Sequence, residues 1–232
     1  MKRTFHRAAE PESEMSGQSL LQRINERGRK PFNLWIFESP KNGRRLTIDG
    51  DLNFMLCVLL EGDPSVAGYK VRPSPFRIPV GGDLVEVCPD LEVERRDGSN
   101  EWWEVTRSTS SRSKAPAPPS VLAGAAEPGG AVYVKRTERD VAGKAVAFDN
   151  WLLLCAAMTR ARHYPSHREA RVLRGHLDSS GKVSVRELLQ QDGIDRALMV
   201  ATIARFLQAG RVSANLDTRL FSEETLLVAE AV

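Results

Sequence analysis

Residues 84–107 read LVEVCPDLEVERRDGSNEWWEVTR. The apolar positions Leu84, Val85 and Val87 run toward Pro89-Asp90, Leu91 and Val93 lead away from it, Asp97-Gly98 supplies a turn, and Trp102, Trp103 and Val105 return. This pattern predicts a β-hairpin that sets Asp90 and Glu104 on neighbouring strands. Two carboxylates held close repel each other unless a cation lies between them, and hard oxygen ligands suit Mg²⁺ or Mn²⁺. Such an ion can stabilise the charge that develops when water attacks a phosphodiester. Acids flanking turns are also ordinary solvated residues, so the pattern by itself leaves both readings open.

Working outward toward the N-terminus, Phe76 to Val80 and Val66 to Tyr69 have the composition of short strands, separated by Pro73-Ser74-Pro75. Asp51 to Glu61, DLNFMLCVLLE, is the most hydrophobic helix candidate, with Leu52, Leu56, Leu59 and Leu60 as its buried stripe and Gly62-Asp63-Pro64 as its stop. Trp35-Ile36-Phe37 is a short apolar run, and Pro40 to Arg45 reads as a turn whose tip carries Arg44 and Arg45. A first helix is expected from Ser16 or Ser19 to Gly28, leaving 1–16 loose. Its basic end, Arg23, Arg27, Arg29 and Lys30, suits either a solvated helix terminus or contact with phosphates.

Toward the C-terminus, residues 107–130 are dominated by Ser, Pro and Ala and read as a loop with a turn of helix at Ser120 to Ala126. Arg107, Arg112 and Lys114 make its start positive, as a solvated linker or a phosphate contact would be. Ala131 to Arg136 resumes as a strand, and Phe148 to Arg162 as a helix capped by Asp149 or Asn150. His163 and His167 have helical metal-pair spacing, but Pro165 interrupts them and no Glu completes the pattern, so zinc is not expected. From Ser166 the chain reads as a winged helix. A helix carries Leu173 and Leu177, a Ser184/Glu187 capping box opens a second, a third spans Arg196 to Ala209, and a two-stranded wing joins Arg211–Ala214 to Thr218–Phe221. In a DNA-reading winged helix, Arg196 and Arg205 would enter the major groove beside Arg211 and Arg219 of the wing. The modest charge of this face suits protein docking at least as well.

The chain has 232 residues, a formal charge of +3 and a pI near 8.9, which permits a nucleic-acid partner without demanding one. Cys57, Cys88 and Cys155 are odd in number and widely spaced, and read as reduced core residues in a reducing, cytoplasmic compartment. No apolar run is long enough for a bilayer and no signal-peptide core follows Met1, so no membrane role is expected.

The ordered set Arg23–Arg29, Trp35, Ser39-Pro40-Lys41-Asn42-Gly43-Arg44, Asp51-Leu52-Asn53, Pro89-Asp90, Glu104-Val105-Thr106, Val132-Tyr133-Val134 and Thr137–Asp140 resembles TnsA, the endonuclease subunit of heteromeric transposases. The resemblance implies an α/β fold: a PD-(D/E)xK restriction-endonuclease-like domain over 17–165, followed by a winged-helix domain over 166–232. It also implies transposon-end DNA, a DDE transposase subunit and an AAA+ regulator as partners, and Mg²⁺ or Mn²⁺ as cofactor.

That family uses a metal-binding Asp, a second acid one strand over, a lysine two residues beyond it, and a helical glutamate. Here the resemblance assigns Asp90 and Glu104 to the first two roles, as metal ligands, and Thr106 and Asn53 to the other two. Asn53 lacks the negative charge and Thr106 cannot supply a cation. Loss of one preorganised charged group costs on the order of a hundredfold in rate, so cutting is expected to be lost or much reduced. Arg107, Lys135, Asp51 and Glu61 are the positions from which a group could substitute, although Asp51 and Glu61 sit on other turns of the helix from Asn53. The readings to be separated are a DNA- and transposase-binding subunit that cuts poorly, a working nuclease with relocated groups, and a non-enzymatic winged-helix regulator.

Overall fold

The computed structural model describes residues 33–106 and 120–230. The expected loose N-terminus and first helix, with Arg23, Arg27, Arg29 and Lys30, lie outside the described residues, as do Arg107 and most of the 107–130 loop.

The chain is mixed α/β. Strands β1 (Leu34–Ser39) and β2 (Arg44–Asp49) form an antiparallel hairpin, closed by Gly43 in the left-handed region at φ 64°. Helix α1 (Asp51–Gly62) follows Gly50, and its buried side chains are Phe54, Leu56, Cys57, Val58, Leu60 and Glu61. Leu52 and Leu59, expected in the buried stripe, are only partly covered. The helix ends where a Cβ on Gly62 would lie 2.1 Å from the Trp151 indole nitrogen, so only glycine admits this close approach.

Four strands make the main sheet: β3 (Val66–Val71), β6 (Leu91–Arg95), β7 (Asn100–Val105) and β8 (Val132–Arg136), in that spatial order. The expected hairpin is β6–β7, antiparallel with Leu91 opposite Trp103 and Glu94 opposite Asn100, and Gly98 at φ 85° closes it. Strand β8 returns parallel to β7 after the short helix α2 (Val121–Ala126). With α1 in front, the order is α-β-β-β-α-β. Strands β4 (Phe76–Val80) and β5 (Asp83–Val87) form a separate hairpin inserted between β3 and β6. Leu84 to Val87 therefore does not extend the central hairpin. Gly81-Gly82, both at positive φ, turn it back onto Phe76–Val80 instead.

Helix α3 (Ala145–Arg160) starts three residues before the expected Phe148 and has Lys144 at its N-cap. Asp149 and Asn150 are thus inside the helix rather than capping it. The C-terminal unit comprises α4 (His167–Ser180), β9 (Lys182–Ser184), α5 (Val185–Leu189), α6 (Arg196–Gln208), β10 (Val212–Ser213) and β11 (Leu226–Ala229). The Ser184/Glu187 capping box is present at the start of α5. The wing differs from expectation: β10 pairs with β11, which also pairs with β9, whereas Thr218–Phe221 lies in the connecting loop. The strand-forming run is Leu226-Leu227-Val228-Ala229, whose Leu227 is fully buried.

One hydrophobic core continues through both units, from Ile48, Cys57, Leu91, Val93 and Trp103 through Leu154 and Met158 to Leu173, Met199, Ile203 and Leu227. A smaller cluster on the other face of the main sheet joins Trp102 and Val87 to Leu122, Ala125 and Ala126 of α2. Cys57 and Cys155 are buried free thiols as expected, but Cys88 is exposed at the end of β5. Among the described residues no helix is long and apolar enough to cross a membrane.

Candidate functional site

Strand alternation assigns the faces of the main sheet. Trp103 and Val105 pack toward α1 and α3, whereas Trp102 and Glu104 project toward the cluster around α2. The β6–β7 ladder ends with Leu91 opposite Trp103. Asp90, one residue before β6, donates to the carbonyl of that same Trp103, so the regular pairing stops there and Asp90 lies against the Trp103–Val105 backbone rather than directly opposite Glu104.

Asp90 is tied into the strand end. Its N–H donates to Trp103 O at 2.9 Å, its carbonyl accepts from Arg72 N at 2.9 Å, and its Oδ2 accepts from Val105 N at 2.8 Å. Burial pushes the Asp90 carboxyl up, the Val105 N–H and the Arg72 guanidinium pull it back in part, and the charge of Glu104 adds to the push. Glu104 takes a 2.6 Å hydrogen bond from Tyr133 Oη and lies in register with Lys135 on β8. Burial raises its carboxyl, but the Ser120 and Tyr133 hydroxyls and the Lys135 charge outweigh that and hold it below the usual range. Glu104 is therefore compensated by donors of the protein itself, whereas at Asp90 burial outweighs them.

The two substituted positions do not complete the pair. The apolar residues of α1 pack on the Trp103 side of the sheet, whereas Glu104 is held by Tyr133 on the other side. Asn53 Nδ2 donates to Asp49 O at 2.9 Å, while its Oδ1 and the Thr106 Oγ1 are buried without a hydrogen-bond partner among the described residues. Arg72, at φ 44° the one non-glycine residue in the left-handed region among those described, pairs with Asp49 at 3.2 Å. Its cation thus stands between the helix start and Asp90. This donor set, with an amide and a hydroxyl where the family has a glutamate and a lysine, does not make a complete PD-(D/E)xK metal centre. Among the described residues no group of three or more His, Cys, Asp or Glu could hold an ion.

The positions considered as substitutes separate clearly. Lys135 lands beside Glu104 on the same face. Asp51 instead accepts from Asn33 Nδ2 and Trp35 Nε1, each at 2.9 Å, and braces the start of α1. Glu61 is fully buried and accepts from Ser39 Oγ, Tyr69 Oη at 2.8 Å, Lys41 N at 2.9 Å and Gln208 Nε2 at 2.9 Å. It joins the β1–β2 turn, α1, β3 and α6 and has no route to the acid pair. Burial raises its carboxyl and, beside it, lowers Lys41 to about 8.

The basic residues expected to meet DNA are divided. Helix α6 is buried along Met199, Ala201, Ile203, Ala204 and Phe206 and packs on α3. Arg205 does not reach outward as a base-reading side chain. It donates to Ser166 Oγ at 3.1 Å and to Ala161 O at 3.2 Å, closing the end of α3. Arg196 pairs with Glu223 at 2.6 Å, and Arg211 lies over the Phe206 ring at 5.4 Å. Arg44 and Arg45, by contrast, line a cleft of about 680 Å³ together with Arg162, His163 and Arg205.

Asn150 carried no functional signal in the sequence beyond being an amide in an apolar helix. Buried in α3, it donates to Leu216 O and Arg219 O, each at 2.8 Å, and accepts from Phe221 N at 2.7 Å, clamping the wing loop onto the first unit.

No family model matches the chain, nor does any curated protein sequence.

Proposed function

We propose that the protein is a TnsA-like subunit of a heteromeric transposase that binds transposon-end DNA and a DDE transposase, with an AAA+ regulator as a further partner, and that its nuclease site has been retired. The observation that carries this reading is Asp90 at the entry to β6, close enough to Glu104 of β7 to feel its charge, in a helix-flanked mixed sheet where an amide and a hydroxyl, Asn53 and Thr106, stand at the positions the resemblance assigns to glutamate and lysine. A helix-rich second unit with a three-stranded wing sheet suits the winged-helix reading, and its buried third helix favours protein docking over base recognition. Two buried free thiols suit a reducing cytoplasm.

A second reading is favoured by one observation, Lys135 beside Glu104. In it the missing lysine has moved to the next strand, and Asp90, Glu104 and Lys135 support Mg²⁺- or Mn²⁺-dependent nicking of the non-transferred strand.

The test combines co-purification with a DDE transposase and a nicking assay on labelled transposon ends in Mg²⁺ or Mn²⁺. The proposal expects a stable complex and only trace nicking. Robust nicking abolished by both Asp90→Ala and Lys135→Ala would establish the second reading instead. DNA binding without any transposase complex would leave a plain DNA-binding regulator.

A further inference from the structure

The cleft lined by Arg44, Arg45, Arg162, His163 and Arg205 gathers residues from three separate stretches, the β1–β2 hairpin, the segment after α3, and α6; Arg44, next to Arg45 on β2, also borders a second cleft with Glu92 and Glu94. The lining of the first holds four arginines and one carboxylate, Glu38. That carboxylate is shared between Arg45 at 2.7 Å and Arg162 at 3.6 Å, and among the described residues Arg44 forms no ion pair. The dipole of α3 accounts for a cation at Arg162, but it gives no reason for two more on a neighbouring hairpin. Like charges converging on a concave surface repel, and low-dielectric walls focus their field outward, which a polyanion would relieve.

The floor is preset. Ser39 and Gln208, which line the cleft, are both fixed from beneath by buried Glu61, and Arg205 is held by Ala161 O and Ser166. The rim arginines thus stand on a rigid base, while Arg45 and Arg162 remain exposed and able to exchange Glu38 for a phosphate. No Phe, Tyr or Trp lines the cleft among the described residues. Single-stranded nucleic acid is normally held by stacking on such rings, so the chemistry matches the backbone of a duplex.

We infer that this cleft seats the phosphate backbone of duplex DNA, at a place apart from the Asp90/Glu104 pair and from the wing. The inference rests on the DNA-binding part of the proposed function and assigns it a location.

The test is fluorescence anisotropy with a labelled duplex of unrelated sequence, titrated at several salt concentrations, because each phosphate contact contributes roughly 0.9 to the slope of log affinity against log salt. The triple variant Arg44→Ala/Arg45→Ala/Arg162→Ala is expected to bind about ten- to a hundredfold more weakly at low salt and to lose roughly two to three units of slope. Arg77→Ala/Arg186→Ala, whose arginines are paired with Glu86 and Glu224, is expected to match the parent. Thr159→Glu, which adds an opposing charge inside the cleft without removing any arginine, supplies the same readout if the triple variant folds poorly. Parent protein that binds no duplex at low salt overturns both the cleft and the DNA-binding reading. Parent protein that binds while the triple variant and Thr159→Glu bind equally well overturns the cleft alone.

Discussion

Asn150 of α3 and Phe221 of the wing loop, 71 residues apart in the chain, are joined by a 2.7 Å hydrogen bond from the loop N–H to the helix side chain. The same amide donates to two carbonyls of that loop. Asn150→Ala leaves three backbone groups without their partner, so a loss of about 2–4 kcal/mol is expected. Urea unfolding measures the loss, and hydrogen exchange should show residues 216–221 opening well before α6.

Glu61 is the second long-range tie. Its replacement by Ala strands Ser39, Tyr69, the Lys41 N–H and Gln208, and leaves Lys41 without its nearest buried anion. Destabilisation of about 3 kcal/mol or more is expected, larger than for any exposed acid of the chain. Thermal unfolding of Glu61→Ala beside Glu94→Ala checks it.

Lys41 gives a signed pH dependence. Its folded value of about 8 lies below the ordinary 10.5, so between these limits the unfolded chain holds the proton and the native one does not. Stability contributed at this position therefore rises as pH increases from about 8 toward 10.5. Lys41→Met is expected to remove that rise. Unfolding free energies of parent and variant across this range give the comparison, and parallel curves would refute the assignment.

Asp90 has the opposite sign. Burial raises its carboxyl, so the native state is favoured at acid pH, and that contribution is lost as pH rises through the folded value. Asp90→Asn keeps an acceptor for Val105 N while removing the buried charge. It is expected to be more stable than the parent at neutral pH, with the advantage disappearing in acid.

Tyr133 holds Glu104. Tyr133→Phe deletes a 2.6 Å hydrogen bond to its carboxylate, and the Glu104 carboxyl should titrate at higher pH, as read by NMR of the labelled side chain. The phenol itself, raised to about 12 by burial and by its acidic neighbour, stays protonated throughout the working range.

Local chemistry was legible from the residues alone. Asp97-Gly98 fixed the β6–β7 turn, the Ser184/Glu187 box fixed the start of α5, and the apolar run after Asp51 fixed α1. Each of these depends on neighbours a few positions away. The pairing of β10 with β11 depends on residues more than a dozen positions apart, whereas Thr218–Phe221 is a nearer partner by local pattern alone, so the local pattern points to the wrong strand. Asn150 illustrates the same limit, since its three partners lie some seventy residues further on. At the acid pair, the hairpin was readable, but the side of the sheet that α1 covers is set by its packing against Trp103 and Val105. The Gly81-Gly82 turn has its own local signal, but Leu84 to Val87 also joins smoothly in sequence to the run after Pro89, and only the pairing with Phe76–Val80 separates the two.

The continuous core has a practical corollary for engineering. A cut between α3 and α4 would strip cover from Leu154 and Met158 on one fragment and from Met199 and Ile203 on the other, leaving each with a sticky flank. The C-terminal unit is therefore no exchangeable cassette: grafting it onto a different α/β body requires carrying the outward side of α3 along with it.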